Sequence, residues 1–184
     1  MSRSYKALLV FYQETHTDLL RAPLDVSDSV ICSQLAYHAS VLLVHRPFLG
    51  DAEGSQTRML TLQGATATAL AICRIVREYR QRVPLHSLPP QTMNYIVCAA
   101  AIHLLNATSG RTCLGRRSTG NLKTCIDALL VVGDRWKSRK DVSIRFIRKL
   151  AHKWKVVWAL PLQFSALLED ENAVESPNGT CFCR

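Results

Sequence analysis

The chain contains, at residues 91–107, the stretch QTMNYIVCAAAIHLLNA, which is apolar on almost every side when drawn as a helix. A surface helix keeps one polar face, so this stretch predicts a helix buried at the centre of the molecule. Pro84, Pro89 and Pro90 precede it and mark a loop, because proline lacks a backbone donor and interrupts regular structure. The sequence therefore predicts a core built around residues 91–107.

Helical periodicity extends outward from this stretch in both directions, and no segment alternates with the two-residue period of a strand. We expect six helices, at about residues 4–21, from Ser27 or Asp28 to before Pro47, 57–81, 91–107, 121–137 and 142–160, with a loop over residues 109–120. The predicted fold is all-α. It comprises one multi-helix domain over residues 1–168 and a short polar C-terminal tail over residues 169–184, which we expect to be disordered.

Length and composition agree with one folded domain. The chain has 184 residues, of which 48% are hydrophobic and 20% charged, and this excludes wholesale disorder. The longest apolar run, Tyr95 to Leu105, is shorter than the roughly 20 residues that cross a bilayer. Residues 7–12 are apolar but lack a cleavage site for a signal peptide. We therefore expect a soluble, intracellular protein.

The net charge is +9, and its excess is concentrated in residues 111–155, with 13 basic against 3 acidic side chains. On the predicted sixth helix, cations lie opposite an apolar stripe. The candidate phosphate-binding or acidic-partner surface comprises Arg145, Arg148, Lys149, Lys153 and Lys155. Such a surface can attract nucleic acid, but it is also typical of an ordinary solvated helix face. Because no side chains are arranged for reading base edges, we expect only weak, salt-dependent association with DNA.

The chain offers few candidate ligands or catalytic groups. Its seven cysteines occur singly except for Cys181 and Cys183 in the tail, which predicts buried free thiols rather than a disulfide framework. His38 and His45 are two helical turns apart, and His103 is typical of a hydrogen-bonded core histidine. Phosphate-loop, zinc-protease and nucleophile-elbow motifs are absent from the sequence. We therefore expect no enzymatic activity, no cofactor and no metal in this chain.

Residues 34–49 read QLAYHASVLLVHRPFL, in which a Tyr-His pair, an aliphatic run and His-Arg-Pro-Phe follow one another. This block resembles the signature helix of the fungal-specific transcription factor regulatory domain. That domain is the middle homology region of fungal zinc binuclear cluster regulators. Later blocks, at Cys73, 99–105, 125–136 and 147–154, follow in the family's order. The resemblance covers about residues 20–160.

The resemblance implies a regulatory domain of a nuclear transcription factor. Such a domain modulates transcription by RNA polymerase II through an effector, co-regulator proteins or other parts of the regulator. The family's DNA-reading cluster binds two zinc ions through cysteines arranged in Cys-x-x-Cys pairs, and this chain contains no such pair. DNA reading and zinc binding by a cluster of that kind are therefore not expected of this chain.

The family's signature residues are interpreted here as structural. They are Tyr37, His38, His45, Arg46, Pro47 and Phe48. Pro47 ends a helix, Phe48 is expected to fold back onto the apolar face, and the basic side chains before them lie near the negative end of the helix dipole. Two alternatives remain open. One is a basic helical module that binds nucleic acid non-specifically through residues 111–155, and the other is a helical enzyme or small-molecule carrier.

Overall fold

The structure is a computed structural model, and it describes residues 28–50, 55–108 and 112–161, with backbone alone over 112–116. These residues form five α-helices and no strand, so the predicted all-α fold is confirmed. The helices are α1 (Asp28–His45), α2 (Gln56–Arg80), α3 (Gln91–Ala107), α4 (Thr112–Gly133) and α5 (Lys137–Lys153). The predicted helix at 4–21 and the predicted tail over 169–184 lie outside the described residues.

The central helix is α3, which contacts each of the other four helices. Its side chains are buried on most sides, and Met93, Ile96 and Leu104 have no exposed surface. Ile72 of α2 and Leu129 of α4 are equally buried in the same core. Burying each such aliphatic side chain stabilises the folded state by about 1.5–3 kcal/mol relative to leaving it in water. The core therefore surrounds residues 91–107, as the sequence predicts.

The longest helix, α2, is fixed at both ends. At its start, the Ser55 hydroxyl accepts a hydrogen bond from the Arg58 backbone N–H at 3.1 Å, which satisfies one free donor of the first turn. At its end, the Tyr79 hydroxyl donates to a carboxylate oxygen of Asp28 at 2.6 Å and lies 2.7 Å from the Ser87 hydroxyl. These contacts tie α2 to the first residue of α1 and to the loop before α3.

Among the described helices, α2 is also long and apolar enough to cross a membrane by length and composition. Its apolar stripe is nevertheless covered by the other helices, and Ala65, Ala69 and Ile72 have no exposed surface. A covered apolar stripe is typical of the core helix of a globular domain.

The predicted loop over residues 109–120 is wrong from residue 112 onward, because α4 begins at Thr112. Glycine, serine and threonine suggested a loop there. In the structure, Ser118 and Asn121 are buried, and the Asn121 side-chain amide donates to the Arg117 carbonyl one turn earlier at 2.9 Å. A polar side chain bonded within its own helix can pack against the core, and this packing overrides weak helix propensity.

The last two helices also end earlier than predicted. The break between α4 and α5 lies at residues 134–136, and α5 ends at Lys153 rather than near Leu160. Lys155 has a left-handed φ of 57°, and the Val156 N–H donates to the Ala151 carbonyl at 2.9 Å across the helix end. This geometry is a Schellman motif, which reverses the chain and stops the helix.

Gly133, the last residue of α4, is buried under α5 and provides a sharp test of this packing. A Cβ atom added there would lie 2.5 Å from the Cβ of Lys140, so backbone must shift to admit it. We expect Gly133→Ala to lower the free energy of unfolding by about 1–3 kcal/mol. Gly120→Ala lies in the same helix with open space around it and should raise that free energy by up to about 1 kcal/mol. Urea unfolding measures both changes, and a gain in stability at both positions would contradict this packing.

Candidate functional site

The signature block forms the end of α1 and the corner after it. α1 ends at His45, and Arg46–Gly50 forms a 3-10 turn, as expected for a proline at position 47. Phe48 is 44% exposed, so the expectation that it folds back onto the apolar face is wrong. The next side chain, Leu49, packs against the core instead. The tight 3-10 turn rotates the chain so that position 49, rather than 48, faces inward.

Both histidines of the signature block point into the protein. His38 is 5% exposed and makes an edge contact with the Tyr37 ring, with centroids 5.4 Å apart. His45 is 4% exposed and lies over Gly64 of α2, where an added Cβ would be 3.0 Å from two atoms of the ring. Burial lowers the pKa of His45, because the charged imidazolium would lose hydration. Gly64 thus allows the His45 ring to pack between α1 and α2, and this contact supports a structural role for the histidine.

The basic residues of α5 divide between solvent and core. The cationic face consists of the exposed residues Arg145, Lys149, Lys153 and Lys155. Arg148 is only 8% exposed, so its assignment to this surface is corrected. Position 148 follows the buried Ile147 and lies one turn before the buried Ala151, which places it on the inner side of the helix.

Two of the three tryptophans are exposed to solvent. Trp158 is 66% exposed, because α5 ends before it, and Trp136 is 37% exposed in the break before α5. The Arg135 guanidinium lies 5.8 Å from the Trp136 ring centroid, within range of a cation–π contact. Neither ring therefore belongs to the hydrophobic core. Trp154 is half-buried and packs against the core.

A cluster of chemically reactive side chains, which sequence reasoning missed, lies at the meeting point of α2, α3 and α4. This thiol–imidazole cluster consists of Cys73, His103 and Cys125. The Cys73 sulfur lies 3.3 Å from His103 Nε2 and 3.4 Å from the Cys125 sulfur. All three side chains are at most 2% exposed. The cluster is therefore an enclosed set of two thiols and one imidazole.

The two cysteines of the cluster differ in acidity. The pKa of Cys73 is lowered to about 5, mainly because Cys125 donates a hydrogen bond to its sulfur, with the His103 ring and the Arg77 charge adding to the effect against burial. The pKa of Cys125 is raised, because its proton is held by Cys73 and because its burial disfavours charge. Of the two sulfurs, Cys73 is therefore the one that loses its proton more readily. Arg77 is held nearby by donating to the Asn121 side-chain oxygen at 3.2 Å.

The premise that the cysteines are isolated is wrong for this pair. Cys73 is 30 residues from His103 and 52 residues from Cys125, so no local spacing motif joins them. The sequence did place each residue on the buried stripe of its own helix, which was the available signal. Their meeting depends on how the three helices cross, and periodicity within one helix does not specify that crossing.

Comparisons with protein-family models, with curated proteins and with solved structures found no match.

Proposed function

We propose that this chain is a non-enzymatic regulatory domain of a fungal transcription factor. It would act in the nucleus, through contacts with co-regulator proteins, an effector or other parts of the regulator. The observation that carries the proposal is the signature block, residues 34–49, together with the family's order of later helical blocks. In this proposal the chain has no DNA-reading zinc cluster of its own.

The placement of the signature residues supports this proposal. His38 and His45 are buried and join α1 to the core, which explains their use as fold-defining residues of the block. Arg46 and Phe48 are exposed at the corner. The buried histidines hold the corner in place, and the exposed Arg46 and Phe48 leave a surface for contacts with another protein.

Exposed apolar side chains lie close to this corner, at the end of α1 and the start of α2. They are Leu43, Val44, Phe48, Met59 and Leu60. Large exposed apolar side chains mark a protein contact site where they form one patch. These residues therefore provide the surface for testing regulation by protein contact.

The test is a transcription reporter in a fungal cell, with the full chain fused to an unrelated DNA-binding domain. We expect the fusion to change reporter output several-fold relative to the DNA-binding domain alone. The double variant Leu43→Ser and Phe48→Ser should lose most of this change while retaining the melting temperature of the chain. The matched control, Val142→Ser with Phe146→Ser, alters two exposed apolar residues of α5 and should retain the change. An inactive wild-type fusion that is folded and nuclear would contradict the proposal.

A second candidate function, non-specific nucleic-acid binding, is favoured by the cationic face. Three exposed cations of α5 and Lys155 just after its end can engage about four phosphates, which predicts a log–log salt slope of about −4 on duplex DNA. Lys149→Glu with Lys153→Glu should reduce the steepness of this slope by about 2. Fluorescence anisotropy at several salt concentrations on two unrelated duplexes measures the slope. A strong preference for one duplex at high salt would contradict non-specific binding and indicate a sequence reader.

A further inference from the structure

The ligand atoms of the thiol–imidazole cluster converge on one point. The sulfurs of Cys73 and Cys125 and a ring nitrogen of His103 all lie within 4.8 Å of one another. Around a tetrahedral ion with metal–sulfur bonds of about 2.3 Å, two sulfurs are about 3.8 Å apart and a sulfur and a nitrogen about 3.5 Å. The observed separations of 3.4 and 3.3 Å need to widen only by a few tenths of an ångström to admit an ion.

The donor set selects the kind of ion. Thiolates are soft ligands that favour Zn²⁺ and Cu⁺, and imidazole is compatible with both. Two thiolates balance the charge of Zn²⁺, whereas with Cu⁺ they leave one negative charge that the nearby Arg77 guanidinium can offset. Hard cations such as Mg²⁺ and Ca²⁺ prefer oxygen ligands, which this set does not supply.

The surroundings of His103 identify which of its ring nitrogens can bind a metal. His103 has no exposed surface, and its Nδ1 atom has no hydrogen-bond partner among the described residues. Burying an imidazole with one nitrogen unsatisfied is unfavourable. The other nitrogen, Nε2, faces the sulfurs and is the one that can bind a metal, in which case Nδ1 carries the ring proton.

We propose that Cys73, His103 and Cys125 bind one thiophilic metal ion, Zn²⁺ or Cu⁺, inside the helical core. Binding replaces the thiol protons, which pass to the buffer, and involves no change in oxidation state. The ion joins α2, α3 and α4 through one residue from each. This replaces the expectation of no metal in the chain, which relied on the separation of these residues along the sequence. The inference does not depend on the proposed regulatory function.

The three residues leave one position of a tetrahedral ion without a protein ligand among the described residues. Because all three side chains are at most 2% exposed, the ion acts as a structural clamp rather than as a catalytic centre. Each ligand comes from a different helix, and the enclosed site has no open route for a substrate among the described residues. Metal that binds the folded chain alone stabilises it by mass action, so metal at about 100 times its dissociation constant should raise the melting temperature by about 5–10 °C. The ion must enter during folding or by a local opening of the helices.

Metal content is the first measurement. The full chain is purified under reducing conditions, reconstituted separately with Zn²⁺ and with Cu⁺, dialysed and analysed for metal and protein. We expect about one equivalent of the preferred ion, and competition against a chelator for each metal identifies which is bound more tightly. Cys73→Ala and Cys125→Ala should each lose the metal. The matched control Cys98→Ala should keep it, as should the tail variant Cys181→Ser with Cys183→Ser.

Co²⁺ spectroscopy covers the case in which a ligand variant fails to fold. In the tail variant, bound Co²⁺ should give a charge-transfer absorption with the intensity of two thiolates. The proposal would be overturned by a folded chain that takes up neither ion. It would also be overturned if folded Cys73→Ala kept the metal and the tail variant lost it. A metal-free tail variant whose peptide map contains a Cys73–Cys125 disulfide would overturn it as well, because that bond would explain the proximity of the two sulfurs instead.

Discussion

Replacing Arg148 with glutamate is expected to lower the free energy of unfolding by about 3–5 kcal/mol, although the sequence places this residue in a strongly basic stretch. Arg148 is 8% exposed and follows Ile147, which has no exposed surface. A glutamate at this position loses hydration of its carboxylate and lacks the contacts of the guanidinium. Urea unfolding followed by circular dichroism measures the loss.

Lys149→Glu is the matched control, because it makes the same change of charge at the next residue, where the side chain is exposed. We expect it to change the free energy of unfolding by no more than about 0.5 kcal/mol. Arg148→Met removes the charge but keeps an elongated side chain, and its effect should lie between the other two. Equal losses of unfolding free energy in the two glutamate variants would mean that Arg148 is exposed to solvent and belongs to the cationic face.

The positions of α1, α2 and α3 were predictable to within about one residue at most ends. Their apolar stripes are long, and Pro47, Pro84 and Pro90 interrupt the chain close to where these helices end or begin. The start of α4 was not predictable in this way, since residues 112–120 are rich in glycine, threonine and arginine. Their helical structure depends on packing of Ser118 and Asn121 against neighbouring helices, which composition does not reveal.

The candidate sites, like the helices, were predictable from the sequence only in part. A seven-residue spacing on one helix places His38 and His45 on the same face. The structure shows that this face is buried. Arg148 was misplaced because its charge was given more weight than its position beside Ile147. The thiol–imidazole cluster was out of reach, since three residues on three helices meet only through the crossing of those helices.

Leu42→Ala is the second large prediction, and its neighbour provides a control of identical chemistry. Leu42 is 4% exposed in the core, whereas Leu43, in the same aliphatic run of the signature block, is 55% exposed. Truncating Leu42 removes buried methyl groups and leaves a cavity, so we expect the free energy of unfolding to fall by about 2–5 kcal/mol. Leu43→Ala should change it by less than about 1 kcal/mol, because that side chain is largely in water and alanine favours the helix slightly.

Urea unfolding and the transcription reporter, applied to both variants, separate the structural role of the aliphatic run from a contact role. Leu42→Ala should lower reporter regulation together with stability, because the folded population falls. Leu43→Ala should leave stability nearly unchanged and still weaken regulation, because Leu43 belongs to the exposed apolar group at the corner. Equal destabilisation by both variants would show that Leu43 is buried in solution. Full regulation by a stable Leu43→Ala variant would instead remove this side chain from the proposed contact surface.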